Sequence, residues 1–289
     1  MLEKILFSKR EDWILPAFRV VYPLFIIFEL LREKNSLFSR VGSMMCNRID
    51  TIEFLGLAVL NEGNVSIVYY GTLVSLGLLS VGFFTHFVGV VSSFLFFYLI
   101  GSNISCSIGE NPDYIPWNHA IVVFNLLILS LSRSNLRFSL DKVLLKFKSS
   151  DQVNWPLFLL KFNLIYAYFS SAFAKLQFGL DWMNGYSLQA QMMYRHLNLE
   201  TPAALFLINS NTLSMVISIV VVLTELLSPL ALFSRWFAVF FVLGSLVFQL
   251  AFALMIELRW MEYFGWAYLI YLLELLAVML AFRSSSQRA

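Results

Sequence analysis

Eight apolar runs, each near the length that crosses a bilayer core, constrain this chain more than any motif it carries. They lie near Trp13 to Leu31, Val65 to Phe84, Phe87 to Cys106, Asn118 to Leu131, Pro156 to Phe178, Leu213 to Phe233, Trp236 to Ile256 and Tyr263 to Phe282. A core about 30 Å thick takes roughly 20 helical residues, so only the fourth run is clearly short. Backbone N–H and C=O groups find no water in lipid and must pair within the segment, which makes such runs helices. The expected fold class is all-α, a polytopic transmembrane helix bundle of about eight spans. Composition agrees: 59% of residues are hydrophobic and 13% charged, against roughly 25% charged in soluble domains.

The opening MLEKILFSKRED is amphipathic and carries acids, so residues 1–12 are expected to form an interfacial helix rather than a cleaved signal peptide. Threading the spans in order gives one face Lys4, Lys9, Arg10, Arg133, Arg137, Lys142, Lys146, Lys148, Arg235, Arg283 and Arg288, and the other Arg32, Lys34, Arg40, Arg48, Arg195 and Arg259. The richer face is expected to be cytoplasmic, with both termini there. A net charge of +2, scattered between apolar runs, excludes a nucleic-acid partner. No repeat or linker divides the chain, so one domain over residues 1–289 is expected, without a C-terminal lumenal domain. Cys46 and Cys106 fall on the outward face, where a disulfide is permitted in an oxidising compartment, but spacing does not pair them.

Polar residues converge on the outward end. GENPDYIPWNHA precedes the fourth run, FGLDWMNGYSLQAQMMYRHLNLETP follows the fifth, and ELRWMEY joins the last two. Tyrosines and tryptophans crowd the same boundary, either as interfacial anchors or as a flat pocket for a ring-shaped ligand such as a quinone. His119 follows Trp117 and Asn118 at a helix start, where unpaired N–H groups attract negative charge. That arrangement suits a developing oxyanion, or Asn118 simply caps the helix beside a solvated His119.

Lys175 sits near the end of WPLFLLKFNLIYAYFSSAFAKL. An intramembrane cation is costly, so it is a functional hypothesis by default. Two readings are open: the stem snorkels to keep the ammonium wet, or the amine is held dry and neutral, able to take a proton from an acidic substrate. Any acid beside it would instead pin it as a charged partner. Glu225, midway along the sixth run, and Gln249, in the seventh, are the polar groups that bear on this, with Glu29 and Glu274 elsewhere. Arg19 and Lys161 read as cations snorkelling to the cytoplasmic side. Arg195 and His196 either bind an anion or face water. Three scattered histidines and two distant cysteines make no metal-ligand pattern, and no metal is expected.

Together these residues resemble the membrane domain of vitamin K-dependent γ-carboxylase, the family known in bacteria as HTTM, for horizontally transferred transmembrane. There a lysine closes a helix and is followed by an acid-tryptophan pair and Gly-Tyr-Ser. Here AFAKL is followed by Asp181, Trp182, Gly185, Tyr186 and Ser187, and Arg195 with His196 falls where the family has Arg-His. Trp117, Asn118 and His119 resemble its Trp-Asn-Asn-His, and SRSNLRFSLDK its cytoplasmic link ending in Ser-Val-Asp-Gly. The family has a histidine near Gln249, and a large lumenal region that grips a propeptide.

The resemblance implies that Lys175 is a general base that deprotonates vitamin K hydroquinone or another quinol. Asn118 and His119 would assist at the oxyanion or carbanion, and carboxylation of a peptide glutamate would follow with oxygen and carbon dioxide. Trp117, Asp181, Trp182, Tyr186, Arg195, His196, Glu225 and Gln249 are the candidate substrate-binding residues. Expected partners are membrane lipid, a lipophilic quinol-like ligand, and a secreted peptide or partner protein. Two other functions fit the same outward mouth: a non-catalytic membrane partner in the maturation or export of a small secreted peptide, and a quinone or lipid carrier.

Overall fold

The computed structural model describes residues 13–41, 52, 55–105, 117–145, 154–177, 181–199, 202–256 and 265–276, and among them every regular element is helical. Cys46, Cys106 and the expected interfacial helix at 1–12 lie outside the described residues. Among the described residues four helices are long and apolar enough to cross a membrane, over Ile14–Ser39, Glu62–Val81, Thr85–Ile104 and Trp155–Gln177. The chain is an integral membrane protein. It divides into two compact units, Met1–Leu160 with Leu272–Ala289, and Lys161–Tyr271.

In the first unit α1 (Ile14–Val41), α2 (Glu62–Val81), α3 (Thr85–Ser105) and α4 (Trp117–Leu131) follow one another, and each packs on the next. A 3-10 turn at Ser134–Leu136 and the short α5 (Leu140–Leu145) close it. The first apolar run was expected to end at Leu31, yet α1 continues to Val41. Arg32, Glu33 and Lys34 are good helix formers, and Arg32 Nη2 pairs at 2.8 Å with Glu29 Oε2 one turn back. At α2 the Asn61 side chain accepts from Asn64 N at 3.0 Å, and the helix stops at Gly82, φ 72°. A side chain there would collide with the Arg19 guanidinium and stand 2.8 Å from Ser139 Oγ, so both backbone and space demand glycine. Small residues bring α3 onto α4: a Cβ on Gly89 would lie 2.5 Å from Ser130 Cβ, and Ser93 Oγ donates to Val123 O at 3.0 Å.

Arg19 does not snorkel. Its side chain is fully buried, and all five guanidinium N–H donors meet backbone carbonyls. Nη1 donates to Leu79 O at 2.8 Å and Ser80 O at 2.9 Å, Nε to Ser134 O at 3.2 Å, and Nη2 to Arg137 O at 3.3 Å and to Phe138 O. The acceptors are the last carbonyls of α2 and the link after α4. Helix C-termini carry unpaired carbonyls and partial negative charge, which a buried fork of donors satisfies better than lipid or headgroups would.

The neighbouring Asp141 does the converse for α3. Its Oδ1 accepts from Phe84 N at 2.6 Å, and its Oδ2 from Thr85 N and Thr85 Oγ1, both at 2.8 Å. This is an N-cap supplied from a distant segment, and it explains the Ser-Leu-Asp of the link. Burial alone would raise this carboxyl, but the hydrogen bonds from Thr85, Phe84 and Asn135 outweigh it and hold it below the usual aspartate range. A carboxyl lowered in the folded state stabilises fully above its unfolded titration and loses that contribution as pH falls through the folded one. Asp141→Ala is therefore expected to lower stability by about 1 kcal/mol at neutral pH. Melting followed from pH 6 to pH 3 should show a steeper acid loss in the wild type than in the variant.

The second unit takes most of α6 (Trp155–Gln177), then α7 (Tyr186–Leu199), α8 (Pro202–Ile208), α9 (Asn211–Leu226), a 3-10 turn (Ser228–Leu232), α10 (Arg235–Ile256) and a 3-10 turn (Gly265–Tyr268) that runs on as helix. Leu188 and Met192 of α7 pack with Ala204 and Leu207 of α8, against Ile208, Ile217 and Phe248. The sixth apolar run was expected to be helical to Phe233. Instead α9 ends at Leu226 and the chain goes on as the 3-10 turn, because Pro229 has no N–H to continue the α-helical ladder. Glu225 is thus the penultimate residue of α9.

Candidate functional site

The site is built on the end of α6. Residues 168, 171 or 172, and 175 fall on one face of a helix, and there α6 presents Tyr168, Ser171 and Lys175. Lys175 Nζ donates to Ser171 Oγ at 2.7 Å, to Glu225 Oε1 at 2.7 Å and to Glu225 Oε2 at 2.6 Å. Ser171 Oγ donates to Glu225 Oε1 at 3.4 Å. The Trp182 ring centroid lies 5.2 Å from Nζ, within cation–π range. The lysine side chain is 14% exposed and the glutamate 7%, so the pair is nearly dry but reachable.

The amine is thus not isolated: an acid sits beside it, one of the alternatives the sequence left open. Of the two residues expected to matter at this depth, Glu225 is placed against Lys175 by the early end of α9. The lysine does not snorkel either, because a carboxylate within hydrogen-bond reach outcompetes the interface for its proton-rich head.

Gly185 of the DWMNGYS segment fixes the turn that carries Trp182. Its φ is 82°, and a Cβ there would lie 2.5 Å from Met215 N and 2.7 Å from Ser214 C at the start of α9. The turn is thereby laid directly on the helix that supplies Glu225. On its far side Gln189 Nε2 donates to Leu207 O and Ile208 O, both at 3.3 Å, and Ser214 Oγ to Leu207 O at 2.7 Å.

One to two turns before Lys175 lies a second polar group. Tyr168 OH accepts from Gln249 Nε2 at 2.9 Å and from Tyr268 OH, with Phe241 set edge-on to the Tyr168 ring at 5.2 Å. Both tyrosines and Gln249 are buried. Two further turns back, Lys161, expected to snorkel, is 8% exposed with its ammonium 5.9 Å from the Tyr271 ring centroid. Burial against an aromatic face, not reach to the interface, sets its position.

Of the residues expected at the site, Lys175, Glu225 and Trp182 are brought together, and Gln249 joins Tyr168 on the same helix face as Lys175. Asp181 is exposed, and Tyr186, the first residue of α7, is 56% exposed. His119 is half-buried in the first turn of α4, in the first unit. The side chains of Trp117, Asn118, Arg195 and His196 lie outside the described residues, as do the segments 106–116 and 257–264. Ser171 and the Tyr168–Tyr268 contact were not anticipated; Ser171 was readable as the residue four before Lys175. Among the described residues, no three histidine, cysteine, aspartate or glutamate side chains gather as a metal site would need.

Residues 7–274 match the family model described as HTTM domain, and the chain belongs to that family. No curated protein and no solved structure matches it.

Proposed function

We propose that this HTTM protein is a membrane enzyme of the γ-carboxylase type, taking a proton from a quinol-type lipophilic acid at the Lys175 site and coupling it to carboxylation of a peptide glutamate. The observation that carries the reading is a nearly dry Lys175–Glu225 pair under the Trp182 ring, in which Lys175 and Trp182 belong to the stretch that resembles the carboxylase motif. Ionisable pairs inside an apolar bundle contribute little net stability and mark functional sites. A hydroxylated aromatic ring fits this cluster: Trp182 offers a ring face, and Lys175, beside Glu225, would take up the hydroxyl's proton as the general base. When bound, a vitamin K-type quinol would supply the acidic hydroxyl and the reducing equivalents. The chain's residues orient that hydroxyl, exclude water around it and take up its proton.

The proposal carries the finer topology with it: one HTTM domain of about eight spans, an interfacial helix at 1–12, both termini cytoplasmic, and the Lys175 mouth facing outward. Asn118 and His119 would act at the oxyanion or carbanion, and Arg195 and His196 at an anionic group of the substrate.

The test is incorporation of labelled bicarbonate into a glutamate-containing peptide by the protein in lipid nanodiscs, with vitamin K hydroquinone and oxygen. Incorporation is expected, with Lys175→Ala at least about a hundredfold lower while melting cooperatively. No incorporation by the wild type, or an undiminished rate in Lys175→Ala, overturns the reading. Peptide retained on the immobilised Lys175→Ala protein without turnover would point to the docking role instead.

A further inference from the structure

Three helix ends meet at one end of the first unit: α2 stops at Gly82, α3 starts at Thr85 and α4 stops at Leu131. Beside them two phenylalanines stand in left-handed backbone, Phe84 at φ 45° and Phe138 at φ 52°. A bulky side chain is poorly suited to that region, which glycine enters without steric cost. Hydrogen bonds to the interior hold both in place: Phe84 N donates to Asp141 Oδ1 at 2.6 Å, and Phe138 O accepts from Arg19 Nη2. Yet the two residues are 56% and 64% exposed, so most of what their rings contact lies outside the protein. Strain kept under such over-determination marks functional segments.

The same link carries more apolar surface and a net positive charge. In α5 Leu140, Val143 and Leu144 share one helix face and are 45%, 72% and 62% exposed. Phe87 and Leu131, on the adjoining ends of α3 and α4, are exposed as well, which carries the lipid-facing surface of the spans onto the link. Arg133, Arg137 and Lys142 are exposed there too. Among the described residues of the link the one acid is Asp141, and it is buried in the cap of α3. The outer face of the link is therefore apolar and basic.

We propose that this link is an anionic-lipid binding surface: Phe84, Phe138 and α5 sit at the boundary of acyl chains and headgroups, and Arg133, Arg137 and Lys142 collect negatively charged phospholipid headgroups around them. Interfacial segments bind by buried apolar area together with attraction to anionic lipid, and this one presents both. The occupant is lipid because the apolar side chains continue directly from helices long enough to span the bilayer, and charge selects which lipid. The end is the one proposed to be cytoplasmic, the leaflet in which anionic lipid gives the surface its negative potential. Arg19 and Asp141 tie the same link to the end of α2 and the start of α3, so headgroups held there brace the joint of the first unit. The inference is independent of the Lys175 site, which lies in the second unit.

The experiment reconstitutes the full chain in bilayers of phosphatidylcholine with a minority of phosphatidylglycerol, and quantifies by mass spectrometry the lipid that co-purifies after brief detergent extraction. Phosphatidylglycerol is expected to be enriched about fivefold over its share of the bilayer. The enrichment should disappear in the triple variant Arg133→Gln, Arg137→Gln, Lys142→Gln, which keeps the Arg137 carbonyl that Arg19 uses. A second measurement needs no charge variant: fluorine resonance of 4-fluorophenylalanine incorporated at Phe138 in the otherwise unchanged chain. Its signal should be broadened by a nitroxide on a shallow acyl carbon and spared by a water-soluble gadolinium chelate. A wild type that carries phosphatidylglycerol only at its bilayer share overturns the proposal, as does enrichment that survives in the triple variant. Broadening by the chelate and not by the labelled lipid also overturns it, since the face would then meet water or a soluble partner.

Discussion

Arg19→Met is expected to destabilise the purified chain by about 4 kcal/mol or more, with the loss centred on the first unit. The guanidinium is buried, and its five N–H groups are the donors to five main-chain carbonyls. Leu79 O retains a partner in the Gly82 N–H, but Ser80, Ser134, Arg137 and Phe138 lose the one Arg19 supplies. Each buried carbonyl left without a donor costs about 1–3 kcal/mol, and methionine fills the volume without offering one. Arg19→Lys should fall between, because a lysine presents three protons from one point rather than five from a fork. Denaturation in mixed micelles, followed at Trp and by hydrogen exchange at α2 and the 134–138 link, reads both variants. A loss below about 1 kcal/mol in Arg19→Met would show that these carbonyls find other partners.

That arginine marks the limit of sequence reading here. Apolar length placed α2, α3, α6 and α10 within a few residues, because lipid leaves a helix as the only way to pair a backbone of that length. It failed at α1 and α9, where the ends are set by local chemistry: helix-forming Arg32, Glu33 and Lys34 carry α1 on, and Ser228-Pro229 stops α9. Arg19 and Lys161 were read as snorkelling because each lies near the end of an apolar run. Depth along a run says nothing about which neighbour faces the side chain, and both point into protein. The amphipathic α7 hid in a stretch of low hydropathy, although Leu188 and Met192 already show its i, i+4 spacing.

The site was legible to the extent that it is local. Lys175, Trp182 and Gly185 stand within eleven residues, and a motif gathers them. Ser171 is one turn from Lys175, and helical periodicity alone places it on the same face. Glu225 was visible as an intramembrane acid, but its depth depended on where α9 ends, which in turn decides whether a carboxylate reaches Nζ. The Tyr168–Tyr268 contact joins residues a hundred positions apart through a packing of α6 and the final turns that no local pattern encodes.

Glu225→Leu alone is expected to destabilise the protein by about 3–5 kcal/mol, because it strands the Lys175 ammonium beside Ser171 in a nearly dry site. The double variant Lys175→Met with Glu225→Leu should recover most of that loss and end near the wild type, since matched apolar side chains forgo both the attraction and the desolvation of two ions. Lys175→Met alone should lie between, because the remaining carboxylate keeps the Ser171 hydroxyl as a donor and can protonate. A double-mutant cycle on unfolding free energies measures the coupling directly, and with the double variant near the wild type it should approach the sum of the two single losses, about 3 kcal/mol or more. If the double variant is instead as unstable as Glu225→Leu alone, apolar packing has not replaced the pair, and the pair holds α6 to α9 as a structural contact. If it folds with wild-type stability yet no longer incorporates labelled bicarbonate, packing cannot account for two ions in this nearly dry site. The remaining reason for them is the proton they exchange with a ligand.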